Sequence, residues 1–211
     1  MQSDIDRILI PQDKIAARVR ELARQITADH TPPNIPDGGE ITIVQILTGA
    51  FIFCGDLIRH IPLPIQIGLL TVSSYPGASV RTQGSQLLGE QLGDLRGRHV
   101  LLIDDILDSG GTLKLVVPVL KEKGAASVRV CVLLRKDRDT ARDVMADYVG
   151  FDIPDEFVVG YGLDYNDYYR NLPDIVTLSP EAVKRRATSS AAETAPAAAI
   201  AQAAAAAGGA A

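Results

Sequence analysis

The stretch over residues 99–113 places the tightest constraint on how this chain can fold. An apolar run at positions 100–103 ends in two adjacent carboxylates, Asp104 and Asp105, and an amphipathic segment follows a few residues later. Between them lies a short polar turn made of Asp108, Ser109, Gly110, Gly111 and Thr112. This order predicts a buried strand with an acidic end, followed by a glycine turn that leads into the N-terminus of a helix.

The same segment carries groups that suit a phosphosugar. Backbone N–H groups and hydroxyls in such a turn can bind a phosphate, and the helix dipole adds partial positive charge. Carboxylates beside the turn can accept ribose hydroxyls or bind Mg²⁺. A structural alternative is that Asp or Ser only caps the helix and Gly only makes the turn. The pair Asp104 and Asp105 favours a site, because adjacent acids on an apolar strand are costly to bury without a partner.

Length and composition narrow the remaining possibilities. With 211 residues, 46% of them hydrophobic, the chain suffices for one α/β domain with a full core. The net charge is -5 and the basic residues are scattered along the sequence, so nothing in the charge pattern indicates nucleic-acid binding. No apolar run approaches the roughly 18 residues that a membrane span needs, and the N-terminus lacks a signal-peptide pattern. Cys54 and Cys131 lie in apolar stretches, so we expect buried thiols in a cytoplasmic protein.

Apolar periodicity predicts alternating helices and strands. One helix is predicted over residues 12–27, and a second, ending near residue 61, is expected to pack Phe51, Leu57 and Ile58. The predicted strands are 41–47, 65–73, 100–103, 128–134 and 158–161, with a loop at 31–39. Because these strands are short and almost continuously apolar, we expect a mostly parallel sheet covered on both faces.

Two segments break this pattern. Residues 74–93 are polar and rich in turn formers, which favours a functional lid, with a simple surface excursion as the alternative. Residues 186–211 are more than half alanine and almost lack large apolar side chains. We therefore predict that they form a disordered tail.

Tyrosines, acids and glycines are concentrated in residues 146–172, although only 5% of the chain is aromatic. Taken alone, this segment is also compatible with an irregular tyrosine-rich stretch that seals the end of a sheet. As a string, it closely resembles the purine-binding hood of hypoxanthine/guanine phosphoribosyltransferases, with almost no gaps.

Three other segments resemble the same family. Residues 99–113 resemble the phosphoribosyl-pyrophosphate (PRPP) motif of type I phosphoribosyltransferases, and Asp108 is what the 6-oxopurine branch carries at its position. Residues 46–51 resemble the pyrophosphate-binding loop, where members often have a non-proline cis peptide. Residues 72–75 resemble the start of the mobile catalytic loop. The matches cover most of residues 40–178 in the family's order.

The resemblance implies an α/β protein with the type I phosphoribosyltransferase fold. That fold is a mostly parallel twisted sheet flanked by helices, with a small hood formed by terminal segments. We therefore expect one domain over residues 1–185. Its core would span about 40–150, and its hood would come from 1–39 and about 151–185.

The resemblance also implies transfer of the 5-phosphoribosyl group from PRPP to N9 of hypoxanthine or guanine, with Mg²⁺ as cofactor. The products would be IMP or GMP and pyrophosphate, in purine salvage. Asp108 would be the catalytic general base. The implied 5′-phosphate contacts are Asp108, Ser109, Gly110, Gly111 and Thr112. The implied ribose and metal ligands are Asp104 and Asp105, with Asp164 at a second Mg²⁺.

The remaining implied contacts concern pyrophosphate, the base and the lid. Thr48, Gly49 and Arg170 would bind pyrophosphate, and Lys136, Phe157 and Val158 would bind the purine. Ser74 and Tyr75 would begin the lid. Thr48 stands where the family often has lysine, and Gly111 stands where many relatives have lysine or arginine. Backbone amides would still serve at both positions.

Two other functions stay open from the sequence. One is a xanthine-preferring or broad 6-oxopurine enzyme, and the other is a non-catalytic RNA-binding attenuator on the same fold. Asp108 and the acidic net charge argue against the attenuator. The family further implies a homo-oligomer, either a dimer or a tetramer. We expect PRPP and a 6-oxopurine base as partners, and neither nucleic acid nor a membrane.

Overall fold

The structure of the chain is a computed structural model. It describes residues 1–35, 39–73 and 86–186. Ser74 and Tyr75, together with most of the predicted lid, lie outside the described residues, as does the predicted tail beyond Arg186.

Strands and helices alternate along most of the chain. The strands are β1 (Ile5–Ile10), β2 (Ile41–Leu47), β3 (Ile65–Ser73), β4 (Gln86–Gln91), β5 (His99–Leu107), β6 (Ser127–Lys136), β7 (Tyr148–Ile153) and β8 (Ile175–Leu178). The helices are α1 (Gln12–Asp29), α2 (Phe51–Ile58), α3 (Gly111–Glu122) and α4 (Asp139–Arg142), and residues 180–186 are also helical. The strand predicted at 158–161 is wrong, because this run forms only single bridges, such as Val159 to Val176.

Six strands form the main sheet, in the order β4-β3-β2-β5-β6-β7. The five strands from β3 to β7 in that order are parallel, and β4 pairs antiparallel with β3 at the edge. The predicted mostly parallel sheet is therefore confirmed. Because the strands are parallel, their carboxyl ends meet along one edge, where loops of several strands can build a site together.

Helices cover both faces of this sheet. On one face, Ile15 and Leu22 of α1 and Phe53 and Leu57 of α2 pack against the strands. On the other face, α3 contributes Leu113, Val116 and Leu120. The prediction that Phe51 packs in the core is wrong, because its side chain is 64% exposed. The buried stripe of α2 runs instead through Ala50, Phe53, Cys54 and Leu57, at helical spacing.

A second, smaller sheet forms the base of the hood. β1 pairs antiparallel with β8, with Ile5 opposite Leu178. Near this pair, Asp4 accepts a hydrogen bond of 3.0 Å from the hydroxyl of Tyr169 and forms an ion pair with Arg185. Within the described part of residues 1–39, β1 joins this small sheet, whereas α1 packs on the main one. The predicted extent of the hood stays a prediction. Among the described helices, none is long and apolar enough to cross a membrane.

Candidate active site

A cavity of about 900 Å³ lies at the carboxyl ends of the parallel strands. Every predicted site residue in the described part of the chain lines it: Thr48, Gly49, Asp104, Asp105, Asp108, Ser109, Gly110, Gly111, Thr112, Lys136, Phe157, Val158, Asp164 and Arg170. Ser74 and Tyr75 lie outside the described residues. A smaller cavity of about 410 Å³ between α1, α2 and the hood is lined by other residues, among them Arg20 and Arg59.

The turn over residues 108–112, called the phosphate turn after its predicted role, depends on glycine at position 110. Gly110 has φ +76°, in the left-handed region, and a Cβ there would lie 2.3 Å from Cγ2 of Val144. The amide of Lys114 donates to the carbonyl oxygen of Gly110 at 3.0 Å and so begins α3. The N-terminus of a regular helix therefore faces the cavity, as the sequence predicts, and its dipole favours an anion there.

The acid pair Asp104 and Asp105 lies near the carboxyl end of β5, which runs on to Leu107. Asp104 is buried, and the amide of Asp105 donates to its Oδ1 at 3.1 Å. Burial, reinforced by the neighbouring charge of Asp105, raises the pKa of Asp104 well above its ordinary value. Burial also raises the pKa of Asp105, although the charge of Arg170 acts in the opposite direction. Such a pair suits a cation or sugar hydroxyls as its partner.

Gly49 lies between this acid pair and the hood. A Cβ on Gly49 would stand 1.7 Å from Oδ2 of Asp105, and a Cβ on Gly162 would stand 2.1 Å from the carbonyl oxygen of Gly49. The Leu47–Thr48 peptide bond is cis, as the resemblance implies. The backbones of Gly49 and Gly162 and the side chain of Asp105 thus lie so close together that a side chain fits at neither glycine.

Arg170 is held on the same side of the cavity. Its Nη1 donates to the carbonyl oxygen of Gly162 at 2.9 Å, and its Nη2 lies 2.8 Å from Oδ1 of Asp164. Asp167 pairs with the same nitrogen at 2.9 Å. These contacts fix the guanidinium close to residues 46–51, the predicted pyrophosphate loop, and bring the predicted residues Asp164 and Arg170 together.

The cavity also presents an aromatic ring and a lysine. Phe157 is 55% exposed and meets Tyr165 edge-to-face, with ring centroids 5.4 Å apart, so its ring is available to a planar ligand. Val158, next to it, is buried. Lys136 is the last residue of β6, and its Nζ lies 3.1 Å from Oδ2 of Asp108.

Two charged residues at this place were not predicted. The Nη1 atom of Arg138 lies 2.5 Å from Oδ1 of Asp108, and its Nη2 pairs with Asp155. The hydrogen bond from Arg138, followed by that from Lys136, lowers the pKa of Asp155. Arg138 lies in a charged run that looks solvent-exposed in the sequence. One signal could have indicated them. Residues 136–138 and 155 lie at or just after the carboxyl ends of two neighbouring parallel strands, which brings their side chains close together.

Comparisons with known proteins identify the family. The phosphoribosyl transferase domain matches residues 8–166. Hypoxanthine-guanine phosphoribosyltransferase of Mycobacterium tuberculosis is 42% identical over 178 residues, which are 84% of this chain and 88% of that protein. The Streptococcus pneumoniae enzyme of the same name is 39% identical over 181 residues, covering 86% of this chain and 97% of that protein.

Solved structures agree with these sequence relatives. The crystal structure of a hypoxanthine phosphoribosyltransferase from Staphylococcus aureus superposes with a TM-score of 0.76 at 39% identity, covering 86% of this chain and 95% of that one. Together with the family match over residues 8–166, this superposition confirms the type I phosphoribosyltransferase fold. This chain belongs to the hypoxanthine-guanine phosphoribosyltransferase family.

Proposed function

We propose that this protein transfers the 5-phosphoribosyl group of PRPP to N9 of hypoxanthine or guanine, releasing pyrophosphate and giving IMP or GMP. One observation carries the proposal: a single cavity joins a helix N-terminus, a buried acid pair and an exposed aromatic ring beside a lysine. These are complementary to a phosphate, a ribose and a 6-oxopurine respectively. The names of the Mycobacterium and Streptococcus relatives support the choice of base.

The phosphate turn is proposed to hold the 5′-phosphate. The hydroxyls of Ser109 and Thr112 and the backbone amides of the first turn of α3 are donors, and the helix dipole supplies partial positive charge. Gly110 and Gly111 let the phosphate approach the backbone closely. Asp104 and Asp105 would receive the ribose hydroxyls, directly or through a cation.

The residues present fit Mg²⁺. This ion prefers oxygen ligands and is usually bound by one or two carboxylates together with substrate phosphates. Asp104, Asp105 and Asp164 all line this cavity and would supply such carboxylates. Within the described residues, no cluster of three or more potential metal ligands occurs. When bound, Mg²⁺ would neutralise charge on the phosphates.

The base would stack on Phe157, since its ring offers a flat apolar face. Lys136 would donate to O6 and thereby select 6-oxopurines over adenine, whose 6-amino group is itself a donor. Backbone groups of Val158 would contact the edge of the base. Asp108 would lie near N7 and accept or stabilise the proton that the base loses.

The reaction breaks the C1′–O bond to pyrophosphate and forms the C1′–N9 bond. Positive charge builds on the ribose in the transition state, and negative charge builds on the leaving group. Arg170 and the backbone amides of Thr48 and Gly49 would stabilise pyrophosphate, and Asp108 would take the proton of the attacking base. The close packing of Gly49 against Asp105 supports this arrangement, because it couples the pyrophosphate loop to the sugar site.

We also propose a lid, a subunit contact and a location. Residues from Ser74 and Tyr75 onward would cover the reacting centre and exclude water. We propose a homo-oligomer, either a dimer or a tetramer, as the family resemblance implies. Light scattering on the purified protein measures that state. We place the enzyme in the cytoplasm.

The decisive test is an assay of pyrophosphate release from PRPP with hypoxanthine, guanine, xanthine and adenine in parallel. We expect turnover with hypoxanthine and guanine and none with adenine. Preferential use of xanthine would replace the proposed specificity. RNA binding without pyrophosphate release from any base would refute the enzymatic function.

A further inference from the structure

Four charged side chains meet between the phosphate turn and the hood: Asp108, Lys136, Arg138 and Asp155. Lys136 Nζ lies 3.1 Å from Oδ2 of Asp108 and 3.4 Å from Oδ1 of Asp155. Arg138 spans the same two acids, with Nη1 2.5 Å from Oδ1 of Asp108 and Nη2 on Asp155. Each cation therefore contacts both carboxylates, and the four form a closed, neutral cluster.

The backbone of β6 and β7 fixes where these side chains start. Lys136 lies opposite Ile153 in the parallel register, and the amide of Asp137 donates to the carbonyl oxygen of Ile153 at 2.8 Å. Arg138 and Asp155 each follow two residues later. The sheet itself thus brings Asp155 of the hood beside Lys136, although the two are distant from each other in sequence.

Burial differs strongly within the cluster. The Lys136 side chain is only 11% exposed, whereas those of Asp108 and Asp155 are 43% and 44% exposed. A poorly hydrated ammonium group depends on its carboxylate partners more than they depend on it. Without Asp155, Lys136 would keep only Asp108, a carboxylate that Arg138 also holds. Its ammonium group would then be drawn toward the phosphate turn.

We propose that Asp155, assisted by Arg138, is a positioning residue that holds Lys136 in place for the 6-oxygen of the base. The assignment rests on the proposed function. As the base enters, Lys136 donates to O6 and keeps its contact with Asp155. Arg138 also stays paired with Asp155. Because both cations then rely on Asp155, an oxygen of Asp108 becomes available to the base. Asp155 thus gives Lys136 a second carboxylate partner, so that the contact between Lys136 and Asp108 can break when the base arrives.

The test compares two nucleotides that differ at the 6-position. IMP carries the 6-oxygen, and purine riboside 5′-monophosphate lacks it. In calorimetry with the full chain, Asp155→Asn should weaken IMP binding about tenfold, which corresponds to about 1.4 kcal/mol. The same variant should change binding of purine riboside 5′-monophosphate by less than about twofold. Asp155→Glu, which restores the carboxylate, should recover most of the affinity for IMP.

Glu156→Gln is the matched control. Glu156 adjoins Asp155 in the hood but pairs with Arg7 of β1, whose Nη2 lies 2.6 Å from Oε1 of Glu156. Removing its charge therefore loosens the hood without touching Lys136, and any loss should be equal for the two nucleotides.

Three results would overturn the assignment. If Asp155→Asn weakens both nucleotides equally, the role of Asp155 is structural. If it weakens neither, Asp155 does not act on Lys136. If the unaltered protein binds neither nucleotide, the proposed function fails, and this assignment fails with it.

Discussion

The Cα of Gly162 lies against the carbonyl oxygen of Gly49, so that a Cβ on Gly162 would stand 2.1 Å from that oxygen. Gly162 also has φ +105°, a conformation that other residues adopt only with strain. We expect Gly162→Ala to lower the free energy of unfolding by about 1–3 kcal/mol, from backbone strain and the forced shift. Turnover should fall at least about tenfold, because Arg170 and the pyrophosphate loop both move.

Gly55→Ala serves as the control for this variant. Gly55 lies in α2, a few residues beyond Gly49, and a Cβ there meets nothing within 4 Å. Alanine should stabilise the helix by about 0.5–1 kcal/mol and leave turnover unchanged. Urea unfolding and steady-state rates measure both variants. Normal turnover of Gly162→Ala would show that the contact with Gly49 does not support catalysis.

Asp108→Asn tests the proposed general base. The amide keeps the shape of the side chain but accepts a proton poorly, so turnover should fall by roughly 10²–10⁴-fold. Affinity for PRPP should change little, because the phosphate is proposed to bind mainly the backbone and hydroxyls of the turn. Titration calorimetry with PRPP and a steady-state assay separate the two effects. Near-normal turnover would remove Asp108 from the proposed catalytic role.

Asp104→Asn should stabilise the protein while it abolishes activity. Asp104 and Asp105 are adjacent, and burial and repulsion raise the pKa of Asp104. An asparagine can still accept the 3.1 Å hydrogen bond from the amide of Asp105, and it adds no second negative charge. We expect the free energy of unfolding at neutral pH to rise by about 1 kcal/mol, because active-site residues are often unfavourable for stability and their replacement removes that cost. Lower stability of this variant would mean that the carboxylates do not repel each other in the folded state.

His30 should make stability depend on pH. Its ring is fully buried at the end of α1, with Nδ1 2.8 Å from the carbonyl oxygen of Ile26, and burial lowers its pKa below the ordinary 6.5. The unfolded chain therefore gains a proton more readily as pH falls through about 6.5, so stability declines below that pH. The loss approaches about 1.4 kcal/mol per pH unit between the unfolded and folded pKa values.

Urea unfolding at pH 7.5, 6.5 and 5.5 measures this dependence. Carboxylates also titrate in part of this range, so the comparison is with His30→Gln, which keeps a donor but cannot be protonated. The variant should lose less stability than the original protein as pH falls. Equal pH dependence of the two proteins would rule out His30 as a contributor.

Apolar patterns allowed the central elements to be predicted because burial on both faces leaves a strong local signal. β2 and β3 begin and end as predicted, and β5 extends further only because its acidic end stays in the sheet. β4 was missed because it is an edge strand whose side chains are mostly exposed. β1 and β8 were missed because β1 finds its partner strand in β8, across almost the whole chain.

The residues of the candidate site likewise fall into those that local sequence predicts and those that it does not. Asp104 to Thr112 are contiguous, so their chemistry is visible within one short segment. Asp155 and Arg138 meet only because β6 and β7 lie side by side in a specific register. Gly162 looks like an ordinary turn residue until Gly49 is brought against it. Contacts between segments depend on tertiary structure and leave little trace in local composition.

The pairing of β1 with β8 has a consequence for the order of folding. Ile5 lies opposite Leu178, so this sheet can form only when a very long loop closes. The entropy cost of closing that loop is met only once the rest of the chain has folded. The hood should therefore form late and open first, as a cooperative unit separate from the main sheet. Amide hydrogens of β8 should then exchange with solvent faster than those of β5.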